Sequence, residues 1–323
     1  MILTRLFFSI CWVLFVGVRA DPYHLDSTYE GATFLSGWQF FTDPDPTHGY
    51  VTYVDEGAAR ASQLINTDAH GPVYIGVDHT TVLDPAGPGR KSVRIVSQKS
   101  WTHGLFIADI LHMPGGACGT WPAFWLVGPD WPNNGEIDII EGVNQQIDNI
   151  MTLHTSADCT MPIKDNTQLG TMNSNQCDGN LNNYAGCGST AQGGASTYGK
   201  SFNSNGGGIY ATEWTSDYIK IWFFPRNAIP VDIKEGKPEP SSWPKPQAIF
   251  QGSSSCDIEK HFAKQSLVFD TTFCGEFAGG VWGKDGGICS QGGKLTCEQF
   301  VAANPDSFKD AYWLIDSVKV YQL

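Results

Sequence analysis

The stretch that most constrains the fold is WPNNGEIDIIEGVN (residues 131–144), which places three carboxylates within six residues. In a strand, Glu136 and Asp138 share one face, and the isoleucine between them points to the other. Glu141 lies at an odd offset from Glu136, so a regular strand would bury it as an unpaired carboxylate, at a high cost in free energy. A β-bulge at residues 139–140 removes this conflict. We therefore predict a bulged strand with all three acids on its open face.

The alternative interpretation is an ordinary strand with an acidic solvent face. Like charges at positions i and i+2 repel each other, and the stretch contains no Lys or Arg to offset them. Two glutamates that lean towards each other from one face can approach the separation of about 5 Å found in retaining glycosidases. The spacing therefore favours a catalytic pair.

The string GEIDIIEG closely resembles the signature of glycoside hydrolase family 16, in the bulged form found in laminarinases and related endo-β-glucanases. Other segments resemble fungal endo-1,3(4)-β-glucanases along nearly the whole chain after residue 20. These are GPGRKSVRI (87–95), CGTWPAFW (118–125), MTLHT (151–155), SFNSNGGGIY (201–210), IKIWFFPRNA (219–228) and AYWLIDSVKVYQ (311–322). The resemblance implies a retaining endo-β-glucanase in which Glu136 is the nucleophile, Asp138 tunes it, and Glu141 is the general acid/base.

Three tryptophans precede the acids within fifteen residues. A single tryptophan is most often a core residue, but aromatic rings also stack on the apolar faces of sugars. From the resemblance we expect Trp125 and Trp131 to wall a substrate groove. Trp121 belongs either to the same substrate-binding set or to the core.

Three further residues are candidates for substrate binding. The resemblance implies that His154 lies at the sugar and that Arg90 is a cleft arginine; the alternatives are a structural histidine and a turn arginine. Phe277, in FCGEFAGG, stands where close relatives have tryptophan. Phenylalanine can still stack but lacks the indole N–H donor, so one glucosyl subsite is expected to bind less tightly.

Strand patterns recur at 92–97, 105–112, 219–224 and 317–322, whereas helical turns are expected only near 258–264 and 296–303. Many strands without long helices predict an all-β sandwich. The resemblance implies a jelly roll of two curved antiparallel sheets with a concave substrate groove. No repeat or linker divides residues 21–323, which we interpret as one domain.

Residues 1–20 have the pattern of a signal peptide: Arg5, an apolar segment over residues 6–18, and small residues before the cleavage point. The alternative, a membrane anchor, would need about 20 apolar residues. Cleavage would remove two of the 20 basic and none of the 33 acidic side chains, leaving 18 against 33 and a net charge of −15. We therefore expect a secreted, extracellular protein that binds neither nucleic acid nor a membrane. The resemblance implies a neutral β-glucan as its partner, and we expect a monomer.

Eight cysteines remain after residue 20. An even count in a secreted chain predicts up to four disulfides, with the pairing left open. The competing interpretation, a zinc site, lacks CxxC pairs and closely spaced histidines.

The expected chemistry needs no cofactor; some members of the resembled family carry a calcium ion away from the cleft, and the sequence leaves this open. Residues 156–208, rich in Gly, Asn and Ser, form either a groove wall or a surface excursion without a binding role.

Two other functions use the same residues. A β-glucan transglycosylase would share the three acids but transfer the glycosyl group to a sugar. A non-catalytic β-glucan-binding protein typically lacks one or both glutamates, and this chain has both. The preferred linkage (1,3, mixed 1,3/1,4 or branched 1,3/1,6) is not decided by the sequence.

Overall fold

The computed structural model of the protein describes residues 23–67, 71–163, 167–192, 196–284 and 286–323. The proposed signal peptide, residues 1–20, lies outside these ranges. The strands are β1 His24–Glu30, β2 Trp38–Phe40, β3 Val51–Tyr53, β4 Ile65–Thr67, β5 Val73–Gly76, β6 Arg90–Ser92, β7 Ile95–Trp101, β8 Gly104–His112, β9 Thr120–Val127, β10 Glu136–Glu141, β11 Ile150–His154, β12 Thr171–Ser174, β13 Cys187–Thr190, β14 Gly208–Trp214, β15 Tyr218–Pro225, β16 Ala248–Gln251, β17 Gln265–Phe273 and β18 Tyr312–Gln322. The α-helices are short: α1 Glu56–Ala61, α2 Gly199–Ser204, α3 Val231–Lys234, α4 Ile258–His261 and α5 Cys297–Ala303.

Two large antiparallel sheets form the body of the molecule. The front sheet has the order β12-β13-β11-β10-β9-β17-β7-β2, and the back sheet has the order β16-β15-β14-β8-β18-β5-β4, with β1 also paired to β18. A separate parallel pair joins β3 and β6. The predicted all-β sandwich of two antiparallel sheets is confirmed. No helix in the described ranges is long and apolar enough to cross a membrane.

The main core lies between the two sheets and is built from alternating apolar residues. From the front sheet it receives Phe124 and Phe269, whose rings stack with centroids 4.2 Å apart, and from the back sheet Phe106 and Ile110. These side chains are at most 1% exposed. Burial of this apolar surface is the main term that holds the sheets together, and it leaves the other face of the front sheet free to carry polar groups.

Most of the predicted elements are confirmed. The patterns at 105–112, 219–224 and 317–322 correspond to β8, β15 and β18, and the two helical turns to α4 and α5. The expected strand at 92–97 is wrong as a single element. It divides at residues 93–94, because β6 pairs with β3 whereas β7 joins β17 and β2 in the front sheet.

The eight predicted disulfide cysteines form four bonds: Cys118–Cys289, Cys159–Cys256, Cys177–Cys187 and Cys274–Cys297. Two of these bonds involve cysteines of the 156–208 region. That region also contributes β12, β13 and α2, and β13 pairs with β11. The structure therefore favours the groove-wall interpretation of this segment, because its strands extend the front sheet beside the predicted site.

Candidate active site

The three acids of β10 lie on one face of the front sheet because the strand is bulged. Glu136, Asp138 and Glu141 are opposite Val127, Trp125 and Ala123 of β9, which are spaced two residues apart. The register shifts between residues 138 and 140 against β9 and between 138 and 141 against β11. Ile137, Ile139 and Ile140 are at most 1% exposed. The predicted bulge and the shared face of the acids are both confirmed.

His154 lies beside the first two acids, as expected. It is directly opposite Glu136 in the antiparallel pairing of β10 with β11. Its Nε2 is 3.2 Å from Oδ2 of Asp138, and Asp138 is only 2% exposed. A histidine at this distance can stabilise a carboxylate or donate a hydrogen bond to it.

Glu141 has a different environment from Glu136. The indole Nε1–H of Trp121 donates to Oε1 of Glu141 at 2.9 Å. The ring of Trp121 meets that of Phe277 edge to face, with centroids 5.5 Å apart. Trp121 is therefore neither a core residue nor a plain groove wall, since its polar edge is bound to an acid. Phe277 lies half-buried in the π-helical turn Gly275–Gly279 and supports this tryptophan.

Burial raises the pKa of all three acids above their usual range. The next largest cause for Glu136 is the charge of Asp138, and for Asp138 it is the charge of Glu141. Because the buried carboxylates repel one another, the loss of a proton from one raises the pKa of the next, and the group titrates in coupled steps.

A second cluster on the same face surrounds Trp125. Its ring lies 4.9 Å from the guanidinium carbon of Arg94, which also lies 4.5 Å from the ring of Phe41. On the neighbouring strand β17, Oδ2 of Asp270 is 3.9 Å from Nη1 of Arg94. Burial raises the pKa of Asp270 to about 7, although the charge of Arg94 opposes this shift. The half-buried Trp125 thus lies beside an ion pair on the face that carries the acids.

The prediction that Arg90 contacts the sugar is wrong. Arg90 is completely buried, and its guanidinium donates to the carbonyl oxygens of Asp78 and Thr81 at 3.0 and 3.1 Å and of Val301 at 2.5 Å. It also packs over the ring of Phe308. A cation with its donors bound to main-chain carbonyls inside the protein ties loops together and has no access to a ligand.

Trp131, five residues before Glu136, is exposed and contacts the 156–208 region. It is 40% exposed, and its ring is 6.1 Å from that of Tyr184, which comes from the 156–208 region. Gly186 adopts φ +62°, and a Cβ there would lie 2.8 Å from the ring of His154. Glycine at this position lets the segment approach the histidine closely.

Among the described residues, two groups of three side chains could bind a metal ion, because within each group the potential ligand atoms lie within 4.8 Å of one another. One is Glu136, Asp138 and His154, which are part of the acid cluster. The other contains Cys159, Cys256 and His261, but its sulfurs are bonded to each other in a disulfide. Neither group is a separate set of free ligands.

A family model described as the XgeA-like catalytic domain of GH16 matches residues 38–321. The chain belongs to glycoside hydrolase family 16. It is 46% identical to an endo-1,3(4)-β-glucanase of Arthroderma benhamiae over 96% of this chain and 68% of that protein. It is also 46% identical to the endo-1,3(4)-β-glucanase XgeA of Emericella nidulans, over 96% of this chain and 49% of the relative. The family 16 chain spans about half the length of most of the curated relatives it matches.

Solved structures agree with this family assignment. Laminarinase 16A of Phanerochaete chrysosporium, solved with β-glucans in donor and acceptor sites, is 45% identical with a TM-score of 0.86, over 94% of this chain and all of that one. An elongating family 16 β-1,3-glucosyltransferase is 47% identical with a TM-score of 0.85, over 93% of this chain and all of that one. The chain thus resembles both a hydrolase and a transferase of the same family.

Sequence reasoning missed four residues of this family 16 site. Asp270 is a single acid within the apolar run LVFDTTF, and that isolation could have marked a buried carboxylate. Arg94 lies in a run that resembles an ordinary strand, and Tyr184 ends the short 3-10 turn Asn182–Tyr184 within a Gly- and Asn-rich segment, so neither carried a local signal. Asn149, whose side chain bonds to β10, precedes β11 and resembles any turn residue.

Proposed function

We propose that the protein is a secreted endo-β-glucanase that hydrolyses internal β-1,3 and mixed 1,3/1,4 glucosidic bonds with retention of configuration. The observation that carries the proposal is the bulged strand β10, which holds Glu136, Asp138 and Glu141 on one open face. The identity to endo-1,3(4)-β-glucanases supports the substrate class. The proposal includes cleavage of residues 1–20 and a monomeric state.

The proposed reaction is a double displacement. Glu136 attacks the anomeric carbon and forms a covalent glycosyl-enzyme, while Glu141 gives its proton to the departing oxygen as the C–O bond breaks. Glu141 then accepts a proton from water, which attacks the same carbon and releases Glu136. Asp138, next to His154, tunes the charge of the nucleophile. The steps use carboxyl groups and water, so the proposal requires no metal.

The test is to incubate the secreted protein with laminarin, lichenan, cellulose, xyloglucan and agarose and to follow product size and anomeric configuration with time. Laminarin and lichenan are expected to shorten rapidly to mixed oligosaccharides whose new reducing ends are first β. Release of single glucose units from the start, or new ends that are first α, would contradict an endo-acting retaining mechanism. Glu136→Ala is the matched inactive control.

A second candidate is a β-glucan transglycosylase, which is favoured by the 47% identity to the elongating β-1,3-glucosyltransferase. Both activities share the glycosyl-enzyme and differ in whether water or a sugar hydroxyl attacks it. A fluorescent laminari-oligosaccharide added as an acceptor separates them. Longer labelled products formed before new reducing ends accumulate would favour transfer over hydrolysis.

A further inference from the structure

The bulge in β10 leaves main-chain groups that the strand ladder cannot pair. Asp138 is opposite Thr152 and Glu141 is opposite Ile150, so three residue steps on β10 face two on β11. The extra residue disrupts the regular hydrogen bonds. Buried main-chain groups must still find partners, and the carbonyl of Ile139 and the N–H of Glu141 are two such groups.

The side chain of Asn149 pairs with both. Its Oδ1 accepts from the N–H of Glu141 at 2.9 Å, and its Nδ2 donates to the carbonyl of Ile139 at 2.7 Å. Asn149 is completely buried. An amide has one acceptor and one donor end, which match one N–H and one carbonyl, so the orientation of the side chain follows from its partners.

Asn149 is itself fixed at its main chain. Its N–H donates to Oγ1 of the buried Thr197 at 3.2 Å, and its carbonyl accepts from the N–H of Ala191 at 2.8 Å. The amide therefore joins the bulge to two neighbouring segments. The main chain of Glu141 cannot shift relative to β11 without breaking these bonds.

We propose that Asn149 is a positioning residue for the acid/base Glu141, an inference that rests on the proposed function. Proton transfer needs the carboxyl of Glu141 within hydrogen-bond reach of the glycosidic oxygen. A displacement of about 1 Å at a reacting group can cost on the order of 100-fold in rate. Asn149 does not contact the sugar and acts through the main chain of Glu141.

A purely structural role for Asn149 would lower stability and reduce activity on every substrate equally. A positioning role predicts dependence on the leaving group. An oligosaccharide needs a proton from Glu141 when its C–O bond breaks, whereas a dinitrophenolate leaves without one. The ratio of kcat/KM for the two kinds of substrate does not depend on the fraction of enzyme that is folded.

The experiment measures kcat/KM of Asn149→Ala and Asn149→Asp on laminari-oligosaccharides and on a dinitrophenyl β-laminaribioside. Asn149→Ala is expected to lose about 100-fold on the oligosaccharide and far less on the aryl glycoside. Asn149→Asp keeps the shape and the acceptor but loses the donor, and it should show the same asymmetry to a smaller extent. It also provides the readout if the alanine variant does not fold.

Asn203→Ala is the matched control. The side chain of Asn203 likewise bonds to one main-chain N–H and one carbonyl, both of Met113, at 2.9 and 3.0 Å, near the end of β8. Asn203→Ala should leave the ratio of kcat/KM on the oligosaccharide to kcat/KM on the aryl glycoside at the wild-type value. Equal losses on both substrates in the Asn149 variants would overturn the positioning role. Failure of the wild-type enzyme on both substrates would instead refute the proposed function.

Discussion

The two glutamates of β10 differ in their immediate neighbours, and these differences support their separate roles. Glu136 is opposite His154 and next to Asp138, so its pKa depends on the charges of these two neighbours. Glu141 also feels the charge of His154, but its side chain in addition accepts the indole N–H of Trp121. One acid is thus placed among groups that can tune a nucleophile, and the other is placed where it can gain and lose a proton.

Alanine variants of the two glutamates should be distinguishable by chemical rescue. Glu136→Ala is expected to lose at least about 10⁴-fold in kcat because no covalent intermediate can form. Azide should restore part of the turnover by occupying the vacated space and give a glycosyl azide of inverted configuration. Glu141→Ala should spare aryl glycosides with good leaving groups, and azide should then give a product of retained configuration.

The measurement is NMR of the glycosyl azide formed by each variant. The exposed Glu235, on the loop after α3, is the matched control, and Glu235→Ala should keep wild-type rates without azide. If the azide products of the two variants have the opposite configurations, the assigned roles of nucleophile and acid must be exchanged.

The hydrogen bond from Trp121 should set the alkaline limit of activity. Burial raises the pKa of Glu141; the charge of His154 and then the N–H of Trp121 oppose that shift by stabilising the carboxylate. Trp121→Phe removes the donor, so the pKa of Glu141 rises and the acid stays protonated to higher pH. We expect the alkaline limb of kcat/KM to move to higher pH.

The pH profile of kcat/KM on laminarin checks this expectation. Trp131→Phe is the matched control, because it makes the same change at an exposed wall residue. It should weaken binding without moving the limb. A downward or absent shift in Trp121→Phe would mean that another group sets the alkaline limit.

At the scale of the elements, the sequence predicted features that follow from burial and missed those that depend on strand partners. The bulge was predictable because a regular strand would bury Glu141 unpaired. The break at residues 93–94 was not, because local alternation reports burial and not which strand lies alongside. Arg90 was assigned to the cleft from the resemblance of GPGR alone, and the pairing of β6 with β3, which the sequence does not report, accompanies its burial away from the front sheet.

Asp270 of β17 should make the stability of the front sheet depend on pH. Burial raises its pKa from an ordinary value of 3.8 to about 7. Between these values the folded protein holds a proton that the unfolded chain releases, so the contribution of this group to stability falls as pH rises from about 4 to about 7. Asp270→Asn cannot ionise and should escape this loss.

We therefore expect the free energy of unfolding of Asp270→Asn, relative to wild type, to increase by roughly 1 to 4 kcal/mol between pH 4 and pH 8. Urea unfolding at several pH values measures this difference. The exposed Asp257 offers a matched control, and Asp257→Asn should show no such trend. A constant difference across the pH range would mean that Asp270 is ionised throughout.

At the scale of the whole molecule, disulfides over short and long sequence separations hold the loops around the site. Cys177–Cys187 lies beside the segment that approaches His154, and Cys274–Cys297 closes the loop that carries Phe277. Cys159–Cys256 connects the loop after β11 to the segment before α4. These bonds compensate for the irregular, glycine-rich composition of the loops.

Loop length should rank the contributions of the disulfides. Cys159–Cys256 spans 97 residues and Cys177–Cys187 spans 10. In the chain-entropy model a bond that closes about 100 residues contributes about 4.7 kcal/mol, and one that closes a short loop about 3.

All four sulfurs are buried, so replacing either pair by alanine removes similar packing, and the difference between the variants isolates the loop term. Denaturant unfolding should show that the double variant of Cys159 and Cys256 loses about 1 to 2 kcal/mol more than that of Cys177 and Cys187. Equal losses would mean that local packing, and not loop closure, sets the contribution of these bonds.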